Sequence, residues 1–506
     1  MSELPKGWVN ADIGDLCLKV TDGSHNPPKA SDEGLPMLSA KNIHDGLVDF
    51  NERHRLIPVD QFDIEDKRTR IEAGDILLTI VGTLGRSAVV SSTAVKFTLQ
   101  RSVAVLSAPQ LNPYAFRYFL ESHGFQKQLE EQAKGTAQKG IYLKALKQLT
   151  ILVPPLAEQK RIVEKLDQVL AQVDTIKARL DGIPTILKRF RQSVLAAAVS
   201  GKLTEEWRDS ATYPAKDQLY KKLLSDRKRA WLQEQERSYG RKEKKFNLEV
   251  IGKKYKEPMT GFSDELDLTQ INSIPKEWLI SNLDSVSIAM TGKTPSTSDE
   301  KNWNGKVPFI SPSQILPEGE VVDPERFVSE FAYSSTPILP VNSVLIVCIG
   351  TIGKVGFLKK ESAFNQQINA LIPSDSINSK FLFIWAKTLH EWLNKTSSAI
   401  VNAAIINKSR LCSAPCPVPS LEEQTEIVRL VDQYFAFADT IEKQVQKAQQ
   451  RVDKLTQSIL AKAFRGELVP QDPNDEPAEE LLKRIAAARA ESEALAKAAK
   501  KVGKRK

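Results

Sequence analysis

Cysteine is rare in this 506-residue chain, which has only Cys17, Cys348, Cys412 and Cys416. Four are too few for a disulfide framework. Only Cys412 and Cys416 lie close together, and no second pair or nearby histidine completes a zinc site. A reducing cytoplasm is the expected location. Long apolar runs are also missing: the longest, among them Val344 to Ile349, fall far short of the roughly 20 residues of a membrane span. The first residues, MSELPKGWVN, show no basic stretch leading into an apolar core, so no secretory signal is expected. No two of the 24 glycines stand two apart. That excludes the Gly-x-Gly turn with which nucleotide and S-adenosylmethionine sites let backbone pass close to the ligand. The five histidines (25, 44, 54, 123 and 390) make no H-E-x-x-H or other ligand spacing.

Three fragments imitate chemistry. Asn26-Pro27-Pro28 matches the triplet with which amino-group DNA methyltransferases hold a flipped base, but Lys29 follows where an aromatic ring must stack. Two prolines behind an asparagine also make a stiff loop, because each fixes φ and neither donates a backbone hydrogen bond. Gly292-Lys293-Thr294 resembles the end of a phosphate-binding loop, yet Ser287 occupies the place of its first glycine. Asp60, Glu65 and Lys67 are scattered charges in a charged stretch. No catalytic constellation is left.

The remaining composition is that of a globular protein, 41% hydrophobic and 26% charged, and the length calls for two or more domains. The net charge of +8 is concentrated. Residues 211–260 hold 14 lysines and arginines against 7 acids, and the last ten residues, KAAKKVGKRK, form a second basic cluster. Such segments are either solvated linkers or attractors for phosphates.

An internal repeat organises the chain. LAEQKRIVEKLDQVLAQVDTIKARL from Leu156 reappears as LEEQTEIVRLVDQYFAFADTIEKQV from Leu421, displaced by 265 residues. The displacement holds through Gln192-Ser193-Val194-Leu195 and Gln457-Ser458-Ile459-Leu460, to Gly201 and Gly466. Upstream it drifts: LPKGW (4–8) corresponds to IPKEW (274–278), and GDILLTIVGTLGRSAVV (74–90) to NSVLIVCIGTIGKVGFL (342–358). DQLYKKLL from Asp217 is echoed by EELLKRIA from Glu479. The order is therefore A–B–A′–B′, with variable A and constant B. In B, Ile162, Leu166, Val169, Val173, Ile176 and Leu180 follow a 4-3-4-3-4 spacing, matched by Ile427, Val431, Tyr434, Ala438, Ile441 and Val445. This is a coiled-coil seam. Two copies in one chain pair most simply antiparallel, each ~45 residues and so ~65 Å long. Pro184 is expected to break or kink the first. The A segments read as strand-rich: ILLTIV and VLIVCI open hairpins, LPMLSAKNI and VPFISPSQI run from strand into turn, and PYAFRYFLES and SKFLFIWAKTL are helical. The expected fold is α+β, with two similar mixed domains (1–154 and 274–419) separated by helices (155–208 and 420–468). A basic, partly helical linker (209–273) and a basic tail (469–506) complete the chain.

The residues singled out for binding recur in both halves. Gly82-Thr83-Leu84-Gly85-Arg86 and Gly350-Thr351-Ile352-Gly353-Lys354 put a hydroxyl and a cation on a hairpin tip, where glycine lets backbone approach a phosphate. Gln100-Arg101 is matched with Gln366-Gln367. KGTAQKGI (134–141) takes the place of SSAIVNAAI (397–405), offering Lys134, Thr136, Gln138 and Lys139 in one copy and Asn402 in the other. Such amides read adenine and such lysines guanine in the major groove. Thr83, Arg86, Gln100, Arg101, Lys134, Thr136, Gln138, Lys139, Thr351, Lys354, Gln366, Gln367 and Asn402 are thus the candidate DNA contacts.

The series PPLAEQKRIVEKLDQVLAQVDTIKARL … LKRFRQSVLAAAVSGKL, then LEEQTEIVRLVDQYFAFADTIEKQV … LTQSILAKAFRGEL, resembles the DNA-specificity subunit of type I restriction–modification systems. The blocks TGKTPS, VPFISPSQI, GTIGKVGFL and NQQINAL follow the order of its variable domains, and the likeness covers nearly the whole chain. It implies two target-recognition domains, each reading half of a split duplex-DNA site, and spacer helices that fix the gap. It also implies a non-catalytic chain without a cofactor. Two methylation subunits and two restriction–translocation subunits are the expected partners; S-adenosylmethionine, ATP and magnesium are expected on them, and no membrane is involved. A self-sufficient DNA adenine methyltransferase or fused restriction enzyme is the competing expectation, and a coiled-coil scaffold that never meets DNA is a third.

Overall fold

The computed structural model describes residues 4–135, 139–261, 274–400 and 403–503. They divide into two compact units, residues 1–182 with 445–506, and residues 183–444. Both cuts fall inside long helices, Leu156–Val199 and Leu421–Ala463.

In the first unit an antiparallel four-stranded sheet runs in the order Lys19–Asp22, Val103–Ser107, Ile76–Thr79, Ser87–Val89. Beside it, Leu35–Leu38 pairs antiparallel with Arg55–Ile57 and parallel with Thr98–Leu99. The globular part is closed by its own ends, with Val9 opposite Val153 and Asp12 opposite Thr150. The second unit repeats the plan. Its sheet runs Ser287–Thr291, Ile368–Pro373, Val344–Val347, Val355–Phe357, and Leu279–Asn282 closes on Pro415–Val418. Central strands such as Val344–Val347 are buried at every residue, which accounts for their continuous apolar sequence.

The repeated Glu-Gln pair at the start of each long helix is a latch. Trp8 donates its indole N–H to Glu158 Oε2 at 2.9 Å, and Trp278 donates to Glu423 Oε2 at 2.8 Å. Gln159 accepts from the Asn112 backbone and donates to the Pro154 carbonyl, both at 2.9 Å. Gln424 accepts from the Asn378 backbone at 2.7 Å and donates to the Pro419 carbonyl at 3.0 Å. The glycine past each helix meets the proline of a Pro-Lys-x-Trp motif: Gly466 lies against Pro5 in the first unit and Gly201 against Pro275 in the second, both at positive φ.

Within the first unit the two long helices run antiparallel, Lys177 reaching Asp453 at 3.1 Å and Asp181 reaching Gln449 at 2.7 Å. Within the second, Arg191 pairs with Asp439 and Glu442 at 2.7 and 2.9 Å, and Phe190 meets Tyr434 edge-on. The seam also packs on the globular parts: Ile162 and Leu166 join Phe116 and Phe119, and Ile427 and Val431 join Trp278 and Phe381. Ile176 and Tyr434 nevertheless remain 45% and 39% exposed.

Two expectations need correction. Pro184 does not break the first helix, which is continuous from Leu156 to Val199. A proline there forfeits only one bond, to the carbonyl four residues back, and Pro184 itself is exposed, so its ring displaces no packed side chain. Nor is the basic linker merely solvated. Lys216–Arg241 buries Leu223 and Ala230 in the second unit, where Arg227 pairs with Asp284 at 2.7 Å. Ala478–Gly503, also 26 residues long, buries Leu481 and Ile485 in the first.

Candidate nucleic-acid interface

The described candidate residues gather at one end of each four-stranded sheet, where four chain segments meet. In the first unit, Ile76–Thr79 turns back as Ser87–Val89 through Gly82 and Gly85, both at φ near the left-handed value (82° and 83°). The Gly85 N–H donates to the Thr79 carbonyl at 2.9 Å, and the Arg86 N–H donates to the Thr79 hydroxyl at 2.9 Å. In the second unit Gly350 and Gly353 have φ of 84° and 86°, and the Gly353 N–H donates to the Val347 carbonyl at 3.0 Å. A following helix supports each tip, through Gln126 against Gly85 and His390 against Gly353.

The late loop seals the same edge. In the first unit Gly82 donates to the Lys139 carbonyl at 3.0 Å, Ile141 to Ile80 at 2.9 Å, and Lys134 and Gly140 bond reciprocally. In the second, Ile406 donates to the Cys348 carbonyl at 2.9 Å, and Ser398–Ile400 forms a hairpin with Ala403–Ile405. The third segment is the turn before the central strand. Ile80 donates to the Ser102 carbonyl and Cys348 to the Gln367 carbonyl, while Gln100 donates to Leu38 and Asn365 to Ile310. The equivalence is therefore Gln100 with Asn365 and Arg101 with Gln366, one residue off the pairing suggested by the adjacent polar pairs.

The fourth segment follows the first strand of the sheet. Ser24 accepts from the Arg101 backbone at 2.9 Å, and Lys293 donates to the Phe364 carbonyl at 3.0 Å. Gly23 and Gly292 press against the crossing backbone at Leu99 and Asn365, so neither admits a side chain. His25 bonds Asp22 at 2.8 Å, Arg68 clamps the same carboxylate, and Arg55 holds the Pro28 carbonyl. Asn26-Pro27-Pro28 is thus a braced loop beside the turn.

A family model described as the type I restriction modification DNA specificity domain matches residues 5–185 and 275–450. The chain belongs to this family. It is 34% identical over 421 residues to the specificity subunit of the type I restriction enzyme EcoDI of Escherichia coli, covering 78% of this chain and 81% of that one. It is 29% identical over 511 residues to that of EcoKI from Escherichia coli strain K12, covering 97% of both. The crystal structure of the HsdS subunit from Thermoanaerobacter tengcongensis has the same fold, with a TM-score of 0.56 at 19% identity over 92% of this chain and 98% of that one.

The two matched segments of this type I specificity chain begin at Pro5 and Pro275, the prolines that meet the helix-end glycines. The polar groups of its two loop clusters differ. In the first, Arg86, Arg101, Lys134 and Lys139 are all exposed, and none is ion-paired with a described residue. Thr83 is exposed and Gln100 half-buried. In the second, Thr351 is exposed, and Lys354 is half-buried with Nζ 3.5 Å from the Pro312 carbonyl. Gln366 is exposed and accepts from the Thr294 hydroxyl, and Gln367 is half-buried. Thr136, Gln138 and Asn402 lie outside the described residues. Ser24, His25, Lys293 and Thr294 join these clusters without having been singled out as contacts. Their signal was the glycine shared by Thr-Asp-Gly and Met-Thr-Gly at the end of a strand.

The thiols take no part. All four cysteines are buried, and burial pushes Cys17 and Cys412 up to about 12. Among the described residues no group of three or more His, Cys, Asp or Glu is placed to hold a metal ion, and no helix is long and apolar enough to cross a membrane.

Proposed function

We propose that this type I specificity chain reads one half of a two-part duplex target with each unit, through the loop clusters at the sheet ends. The observation that carries this reading is the construction of the same four-segment cluster twice, on sheets of the same order. A hairpin tip with two left-handed glycines, a threonine and a cation suits phosphate, while the flanking polar turns suit base edges. In this reading Arg86 and Lys354 position the chain on phosphates, and Gln138 and Asn402 read bases. The long helices set the number of unread pairs between the halves, because both units engage only when distance and helical phase agree.

The chain itself performs no chemistry in this proposal. It directs two methylation and two restriction–translocation subunits, which carry S-adenosylmethionine, ATP and magnesium. Methylation mapping in cells with and without this chain, its partners present in both, is the test. A split motif should appear and vanish as a unit. Persistence of that motif without the chain would refute the proposal, and methylation by the isolated chain would establish a self-sufficient enzyme instead.

A further inference from the structure

Glu158 and Glu423 hold equivalent positions, but only one is satisfied. Glu423 is completely buried, and its Oε1 accepts from Arg208 Nε at 3.1 Å, Arg208 Nη2 at 2.8 Å and the Thr204 hydroxyl at 2.7 Å. Trp278 and Tyr213 serve its Oε2, and the Arg208 guanidinium lies 5.6 Å from the centre of the Trp278 ring. Glu158 is 1% exposed, and Trp8 takes its Oε2 in the same way. Its Oε1, the oxygen that Arg208 takes in the other copy, has no hydrogen-bond partner. Desolvation raises the Glu158 pKa, and the Trp8 hydrogen bond, the Arg161 charge and the nearby Gln471 side chain offset only part of it.

The repeat explains the vacancy. Arg208 stands seven residues past Gly201, and seven past Gly466 is Pro473; Thr204 likewise becomes Val469. In place of the missing side chains is a cleft of about 450 Å³ lined by Trp8, Pro155, Glu158, Asp472, Pro473 and Glu479. Asp475 also faces it but is answered by Arg161 at 2.5 Å. Among the residues that line the cleft, Lys6 is the one cation beside Glu158, Asp472 and Glu479, and the Arg161 charge, held by Asp475, also acts on Glu158 and Asp472.

We propose that this cleft receives an arginine side chain from a partner protein, which completes on Glu158 and the Trp8 ring the arrangement Arg208 makes on Glu423 and Trp278. Arginine fits better than lysine because its planar fork delivers two donors to one carboxylate while stacking on an aromatic face. The exposed Gln471 side chain would swing aside. The proposal does not depend on how the chain reads DNA, since none of the residues involved belongs to the loop clusters.

The test uses the full chain labelled with 5-fluorotryptophan, its Trp8 signal assigned by Trp8→Phe, at pH 8. N-acetyl-arginine-methylamide should shift that fluorine resonance saturably. The citrulline analogue and magnesium chloride should act at least tenfold more weakly, and the lysine analogue should fall between. Glu158→Gln should reduce the arginine response at least tenfold. Pro473→Arg with Val469→Thr, which rebuilds the second unit's arrangement internally, should abolish the response and raise Tm by several degrees. A missing shift, an equal shift with citrulline or magnesium, or a full response in the rebuilt variant overturns the proposal. The rebuilt variant decides the matter even if Glu158→Gln does not fold.

Discussion

At the scale of residues, the two buried glutamates give a paired prediction. Glu423→Gln leaves Arg208 facing a neutral amide and disrupts a fully buried network, so it should cost about 3–5 kcal/mol. Glu158→Gln keeps an oxygen for the Trp8 indole and removes a carboxylate whose second oxygen is unmet. It should cost about 1 kcal/mol or less. Denaturant titration of both variants checks the difference, and equal losses would contradict it. The pH dependence follows from the raised Glu158 pKa. A carboxyl raised on folding contributes stability below the ordinary glutamate value of 4.5, and that contribution is lost as pH rises through the folded value. Tm should therefore fall less between pH 4.5 and 8 in Glu158→Gln than in the parent chain. The sequence displayed these residues twice at one displacement, so their importance was legible. Their role was not, because the tryptophan each glutamate holds lies about 150 residues upstream and only folding joins them. The thiols add a simpler prediction. With Cys17 and Cys412 pushed up to about 12, native chain at pH 7.5 should resist iodoacetamide, which attacks thiolate. Denaturant should release all four for labelling; rapid native labelling would show that the buried sites open.

At the scale of elements, what could be read depended on how a buried face is written. The long helices announced themselves because their inner faces are apolar at heptad spacing. Helix Lys216–Arg241 lies in the linker expected to be partly helical, but its packing was not legible, because its inner face carries Asp226, Arg227 and Glu234 beside Leu223. In the fold Arg227 is paired with Asp284 and Asp226 with Arg229 and the Ser376 hydroxyl, while Glu234 is paired with Arg241 of the same helix. A charge run thus read equally as a solvated linker or an attractor for phosphates. The hairpin tips were legible from glycine spacing, but the turn beside them was misaligned by one residue, because two adjacent polar residues match equally well in either register. Hydrogen bonding by Gln100 and Asn365 decides the register. The tip in turn predicts a binding signature. Arg86 is exposed and unpaired among the described residues. In the complex assembled with the partner subunits, Arg86→Ala should weaken binding to all duplexes alike and lower the salt slope by about one. A change confined to one target sequence would make Arg86 a base reader instead.

At the scale of the whole molecule, the chain order A–B–A′–B′ and the spatial division are different partitions of the same residues. Each unit takes a globular part, the first half of the helix that follows it and the second half of the other helix. The pairs 177–453 and 181–449 belong to one unit and 191–439 to the other. This permits a clean insertion experiment. Seven residues of helix-forming sequence placed after both Gly182 and Gln444 leave every one of these pairs intact, since each pair lies wholly on one side of the cuts. The added heptad lengthens both helices by about 10 Å, or about three base pairs at ~3.4 Å each. If the helices act as the ruler, methylation mapping should return the same two half-sites with about three more unread pairs between them. Insertion after Gly182 alone forces one unit to surrender its pairing, and should lower Tm and abolish methylation rather than lengthen the gap. An unchanged gap in the doubly extended chain would mean that the spacing is set elsewhere, while the two reading clusters would keep their assignment.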